Sequence, residues 1–232
     1  MSSKKISNKD NLQVIYEDNH IIAINKRVGD IVQGDKTGDT PLSEIVKQYI
    51  AEKYNKPGAV FLGVVHRLDR PTSGIVIFAR TSKALTRLNK LFSERNTQKT
   101  YWAIVKNEPA TSSGTLIHFL KRNPKQNKSY AHKNEVPDSK NAILEYQVVK
   151  KLDRYSLLEI DLKTGRHHQI RSQLSSIGSP IKGDLKYGFD RSNKDGGIHL
   201  HSRKLSFTHP VNKEEINLVA PVPNDPVWRA CV

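Results

Sequence analysis

The chain has 232 residues, and its 38 Lys and Arg against 23 Asp and Glu give a formal charge of +15, a balance that makes nucleic acid the first partner to consider. A single cysteine, Cys231, excludes an internal disulfide framework or a cysteine zinc site. No apolar run approaches the roughly 20 residues that span a bilayer, and the polar start MSSKKISNKDN lacks the apolar core of a signal peptide, so the expected compartment is the cytoplasm, with no membrane partner.

Residues 1–11 read as a short flexible tail. From Leu12 to Gln33, two β-rich runs flank a turn at Glu17-Asp18-Asn19, and a short third run follows Gly29. A helix follows, with Thr40 as N-cap, Pro41 at its first position and an apolar face of Leu42, Ile45, Val46, Tyr49 and Ile50. The unbroken apolar runs AVFLGVV (59–65) and IVIFA (75–79) read as strands buried on both faces. Between them lies HRLDRPTSG (66–74). SKALTRLNKLFSERN is an amphipathic helix and TYWAIVK a strand after it.

The polar, basic stretch 121–141 is a surface hairpin or loop, and its composition leaves open whether it touches RNA phosphates. AILEYQVVKKLDRYSLLEIDLK reads as a hairpin turning near Asp153 and Arg154. A helix is expected to start near Thr164 to Arg166 and to end at Gly178. GIHLHSRKLSFTHPVNKEEINLVAPV gives two strands around a His209-Pro210 turn. With no linker or repeat, residues 12–232 read as one domain that mixes strands and helices.

The chemistry concentrates in two places. In HRLDRPTSG, Asp69 stands between Arg67 and Arg70, and in an extended segment Arg67 and Asp69 share a side and can meet. Flanking cations favour the ionised carboxylate, which suits a nucleophile better than a general acid. On spacing alone, however, such a pair is more often a structural bridge. The second cluster, Arg166, His167, His168 and Arg171, crowds the opening of a helix, an end that attracts anions. Arg166 is a candidate for an RNA phosphate, and Arg171 for a buried carboxylate. His167, His168, His199, His201 and His209 match no zinc-binding spacing, so no metal is expected; core or RNA-facing roles fit them better.

HRLDRPTSGIVIFA, KTYWAIV, TGRHHQIRSQLSSIGSPIKGDLKYG and HLHSRKLSFTHP resemble, in order, the successive motifs of the RluA-type pseudouridine synthases. The resemblance implies an α+β fold with a long, mixed, mainly antiparallel sheet flanked by helices and loops and crossed by a basic RNA-binding cleft. It also implies isomerisation of a uridine in RNA to pseudouridine without a cofactor. Asp69 corresponds to the catalytic aspartate, Tyr101 to the tyrosine that packs on the target base, and Arg171 to the basic residue that pairs with the aspartate. Arg67 corresponds to the arginine that helps to open the RNA, and Arg70, Arg166 and His168 complete the expected RNA-binding set.

Two positions depart from the usual motifs: Arg27 stands where proline commonly follows the lysine of the first hairpin, and His167 where threonine is common. The chain is expected to start directly at the catalytic domain, without the small N-terminal RNA-binding domain of many ribosomal members, which leaves the target open between a stem-loop of tRNA and one of 23S ribosomal RNA. The protein is expected to act as a monomer. The rival readings are a non-catalytic RNA-binding protein or chaperone with the same cleft, which the joint presence of Asp69, Tyr101 and Arg171 disfavours, and a hydrolase of nucleosides or glycosides, which normally needs a second acid to protonate its leaving group.

Overall fold

The computed structural model describes residues 6–35 and 37–232, an α+β chain of eleven strands, four helices and a 3-10 turn. It divides into two compact units, one holding the chain up to Thr97 together with Ser202–Pro223, the other Gln98–His201 with Asn224–Val232. Residues 12–232 are thus distributed over both. Among the described residues no helix is long and apolar enough to cross a membrane.

In the first unit the opening hairpin forms as its turn chemistry dictates. The Asp18 carboxylate accepts the backbone N–H of His20 and Ile21 and folds β1 (Val14–Glu17) back on β2 (Ile21–Lys26). β2 pairs antiparallel with β4 (Ser73–Ala79), from Ile21 opposite Ala79 to Lys26 opposite Gly74. Every residue of both strands is buried. One face, with Ile21, Ala23, Ile75 and Ile77, packs on Ala84 and Leu88 of α2 (Ser82–Ser93). Ile22, Ile24, Val76 and Phe78 are buried on the other.

The run after Gly29 is not a strand. Ile31 and Val32 are buried, but their carbonyls accept the first N–H groups of α1 (Leu42–Lys53), Leu42 at 2.7 Å and Ser43 at 3.2 Å. They serve as a cap for the helix. Pro41 takes the N-cap position in place of Thr40, its carbonyl accepting from Glu44 and Ile45. The expected strand over 59–65 shrinks to β3 (Gly63–Val64), a short edge pairing with Ala79 and Phe78, and Phe61 stays exposed.

β4 also borders β10 (Leu200–Thr208), which pairs in turn with β11 (Glu215–Val219) through the expected turn after His209. Gly74, at φ 111°, makes the β4–β10 approach possible: a Cβ there would lie 2.3 Å from the Ser202 carbonyl oxygen. The end of the expected flexible tail is anchored rather than loose. Ser7 is buried and donates to Asp30 through its N–H at 3.0 Å and its hydroxyl at 2.6 Å. Residues 1–5 of that tail lie outside the described residues.

The second unit is an antiparallel sheet in the order β5 (Thr97–Val105), β9 (Ser156–Leu162), β8 (Lys140–Lys151), β6 (Ser113–Asn123), β7 (Lys128–His132). β8 and β9 are the hairpin expected to turn near Asp153. The 121–141 stretch supplies the β6–β7 hairpin and the start of β8. Register places Tyr101 on one face with Ile160 and Tyr146. That face carries α3 (Gln169–Ser176), whose Gln173 amide donates to the carbonyls of Leu116 and Ala142.

α3 begins later than its sequence suggests. Gln169 folds its side chain back to accept from Arg166 N–H at 2.9 Å and from the Thr164 hydroxyl at 2.8 Å, and His168 adopts a left-handed conformation at φ 52°. Residues 164–168 therefore form a capping loop instead of a first turn. The C-terminal end is as expected: Gly178 at φ 80° turns the chain, and Ser179 N–H caps the Leu174 carbonyl.

Candidate active site

HRLDRPTSG connects β3 to β4 in the first unit. Asp69, Arg70, Pro71 and Thr72 form a turn closed by Thr72 N–H donating to the Asp69 carbonyl at 3.0 Å, with Pro71 pre-setting the backbone. Buried Leu68 anchors one side of it. His66 anchors the approach: its Nε2 accepts Ile77 N–H at 3.1 Å and its ring stacks on Phe92 at 4.8 Å. The acceptor role at Nε2 places the ring proton on Nδ1.

The element that braces the turn from below is Lys26, which the spacing of charges does not reveal. Its side chain is 1% exposed, at the end of β2. Its ammonium donates to three carbonyls, those of Thr72 at 2.7 Å, Arg27 at 2.9 Å and Arg70 at 3.2 Å. Three N–H bonds meet three acceptors, so the protonated amine is the form that satisfies the loop. Burial pulls its pKa down to about 7, against the upward pull of the Asp30 and Asp69 carboxylates, while Arg70 lowers it further. Gly29 N–H adds a second tie to the Arg70 carbonyl at 3.0 Å.

The two arginines beside Asp69 do not hold it as expected. Arg67 is exposed and forms no ion pair with Asp69. Arg70 turns away to Asp39 at 2.6 Å and the Thr37 hydroxyl at 2.9 Å. Asp69 is half-buried, and the bracing lysine is electrostatically coupled to it. The departure at Arg27 is absorbed locally, its guanidinium donating to the Asn11 carbonyl at 2.9 Å.

The second unit groups Arg171, Arg166 and His168. Arg171 is 5% exposed and grips Asp184 with two parallel hydrogen bonds, Nε to Oδ2 at 2.7 Å and Nη2 to Oδ1 at 2.8 Å. Asp184 opens the 3-10 turn Leu185–Tyr187, which brings the Tyr187 ring under the guanidinium at 5.0 Å. Asp184 and Tyr187 were not foreseen; the only hint is the KGDLKYG motif itself.

His168, expected on RNA, is buried, because its left-handed backbone turns it inward to place Nδ1 3.0 Å from the Tyr187 hydroxyl. His167 stacks on it at 3.8 Å and reaches the Ser129 hydroxyl and the Asn127 amide oxygen. The unusual histidine thus ties α3's capping loop to the β6–β7 hairpin. Arg166 remains at the surface with Nε on the Asn141 carbonyl, leaving its terminal nitrogens available to a phosphate. Tyr101 is 8% exposed.

Comparison with known proteins adds the missing chemistry. The family model for RNA pseudouridylate synthase matches residues 20–176. Ribosomal large subunit pseudouridine synthase D of Xanthomonas campestris pv. campestris is 33% identical over 227 residues, covering 92% of this chain and 67% of its own. Synthase C of Vibrio vulnificus is 32% identical over 228 residues, covering 95% and 69%. The chain thus spans about two thirds of the length of these curated relatives. Among solved structures, human RNA pseudouridylate synthase domain containing 4 superposes with a TM-score of 0.76 at 25% identity, covering 93% of this chain and 90% of that one.

Proposed function

Since the chain belongs to the RNA pseudouridylate synthase family and is an RNA pseudouridine synthase, we propose that Asp69 is its nucleophile and a uridine in an RNA stem-loop its target. The observation that supports this most is the bracing of the Asp69 turn. A fully buried lysine beneath an exposed-edge loop is costly, and it is spent on holding the carbonyls on either side of Pro71. Such an expense is understandable where a carboxylate must be held to within a fraction of an ångström.

The reaction is an isomerisation and balances without a co-reactant. The bond from ribose C1′ to uracil N1 breaks, the base turns, C1′ bonds to C5, and the C5 proton leaves while N1 regains one. Asp69 initiates it, and Tyr101 and Arg171, the other motif residues, act in the same reaction: the tyrosine against the base and in the late proton transfer, the guanidinium as a fixed positive charge. The target base has to leave its stack, at a cost of a few kcal/mol that phosphate contacts and stacking offset. Arg67 and Arg166, both with guanidinium nitrogens open to solvent, supply phosphate contacts.

Curated relatives named for the large ribosomal subunit make 23S ribosomal RNA one candidate; a tRNA stem-loop is the other. Single-stranded loops are where RNA sequence is readable. We place the activity in the cytoplasm and in a monomer. Pseudouridine mapping across total RNA from cells with and without the gene tests the reading, followed by turnover on the isolated stem-loop that contains the lost site. A lost site in a loop, modified by the purified protein in a short fragment, is expected. Loss of no site, or activity only on an assembled ribosomal particle, contradicts it.

A further inference from the structure

A groove in the first unit runs between the second half of α2 and the turn that joins β10 to β11. It encloses about 310 Å³ and is lined by Arg87, Lys90, Leu91, Glu94, Thr208, Pro210 and Lys213. Three of these side chains are cationic and one is acidic. The carboxylate is already engaged, with Lys90 Nζ 3.7 Å from Glu94.

The two remaining cations converge on a single neutral acceptor. Arg87 Nη1 donates to the Pro210 carbonyl at 2.8 Å, and Lys213 Nζ approaches the same oxygen at 3.5 Å. Among the described residues neither has a carboxylate partner. Two like charges gathered around one carbonyl repel each other, and one oxygen cannot neutralise both. Lys213 reaches this position from a left-handed backbone at φ 68°, an uncommon conformation for a lysine.

Nor do these cations cap the helix. The last carbonyls of α2 are satisfied by the chain itself: Lys90 by Glu94 N–H, Leu91 by Asn96 N–H and Phe92 by Arg95 N–H. The helix end therefore explains Lys90, through its dipole, but neither Arg87 nor Lys213.

We propose that this groove binds the phosphate group of a nucleotide, with Arg87 and Lys213 holding the phosphate oxygens, the Thr208 hydroxyl as a further donor, and Leu91 and Pro210 as the apolar wall for the sugar. The phosphate belongs either to an RNA strand outside the modified loop or to a free nucleotide. Arg87's planar fork matches phosphate oxygens in pairs, and the volume lies within the range of small-ligand sites.

The test follows backbone amide shifts of the full chain during titration with inorganic phosphate, uridine monophosphate and a single-stranded oligonucleotide. Arg87→Gln with Lys213→Gln serves as the control, Arg87 being half-buried and Lys213 exposed, with neither in the core. Shifts at Arg87, Thr208 and Lys213 in the parent and none in the double variant are expected. If the phosphate belongs to RNA, the oligonucleotide binds more tightly than the monophosphate, and the double variant shows a salt dependence shallower by about 1 in log–log slope. If it belongs to a free nucleotide, the monophosphate binds at least as tightly and RNA affinity is unchanged. Absence of shifts at the groove with all three probes, or shifts that persist in the double variant, overturns the proposal. Pseudouridine formation on a short stem-loop is unaffected by the double substitution in either case, so failure here is distinct from failure of the Asp69 reading.

Discussion

The Lys26 ammonium lies 2.7 Å from the Thr72 carbonyl, and through that bond and its two companions the end of β2 carries the turn on which Asp69 sits. Replacing Lys26 by Met keeps most of the volume and takes the donor from three carbonyls, of which, among the described residues, only that of Arg70 keeps a second donor, Gly29 N–H. Loss of stability of roughly 2–4 kcal/mol is expected, the relief of a buried charge offsetting part of the damage. At a temperature where the variant is still folded, its single-turnover rate should fall by about tenfold or more with RNA affinity little changed. An equal fall in both would mean that Lys26 supports the RNA surface rather than the turn.

Arg171 and Asp184 form a buried pair whose partners are not interchangeable in their effects. Asp184→Asn takes one carboxylate away from a buried guanidinium and should cost about 3 kcal/mol in denaturant unfolding. Arg171→Ala should cost a similar amount and in addition lower the single-turnover rate far more than it weakens binding. If Asp184→Asn abolished the rate as completely as Arg171→Ala while leaving stability intact, Asp184 would itself belong to the chemistry.

Arg67 and Arg70 flank the same carboxylate but should respond differently. Arg67, exposed and without an ion pair to Asp69, is expected to lose RNA affinity on replacement by Ala and to flatten the salt dependence by about 0.7–0.9 in log–log slope. Arg70→Ala breaks an exposed pair with Asp39, which should change stability by less than about 1 kcal/mol. Filter binding over a range of salt concentrations separates the two.

In the second unit, Asp225 accepts from His199 Nε2 at 3.1 Å and caps α4 (Pro226–Arg229) through the N–H groups of Val227 and Trp228. The histidine contact, assisted by these N–H groups, draws its pKa down to about 2. A carboxyl with a depressed folded value contributes stability above its ordinary value of 3.8 that is lost as pH falls toward 2. The melting temperature of the parent should therefore exceed that of Asp225→Asn at pH 5, and the gap should close between about pH 4 and 2. A gap of constant size across that window would assign the effect to capping alone.

The sequence discloses those parts of the fold whose chemistry is local. The Asp18 turn, the Gly178 helix end and the hairpins before and after Asp153 are each written in neighbouring residues. The run over 59–65 exceeds the strand it forms because an unbroken apolar run reads the same whether or not its residues pair in a ladder; here Phe61 is exposed and only Gly63 and Val64 pair. The start of α3 was misplaced because Gln169, five residues beyond Thr164, folds back to cap the loop. In the candidate site the motif located Asp69 and Arg171, but their supports lie at a distance: Lys26 is 46 positions from Thr72 and Arg171 is 13 from Asp184. Arg70 is drawn off by Asp39, 31 positions away, a partner no spacing rule names. His168, expected on RNA, is turned inward by its left-handed backbone, which no residue pattern announces.

Central to this account is Asp69 as the group that initiates the reaction, and Asp69→Asn tests it most directly, because the change removes the carboxylate and nearly keeps its shape. Pseudouridine formation under single-turnover conditions is to be measured on the mapped stem-loop, beside filter binding of the same RNA. The account predicts no detectable pseudouridine from the variant and an RNA affinity within a small factor of the parent's. Pseudouridine formed by the folded variant at a rate near the parent's would contradict it.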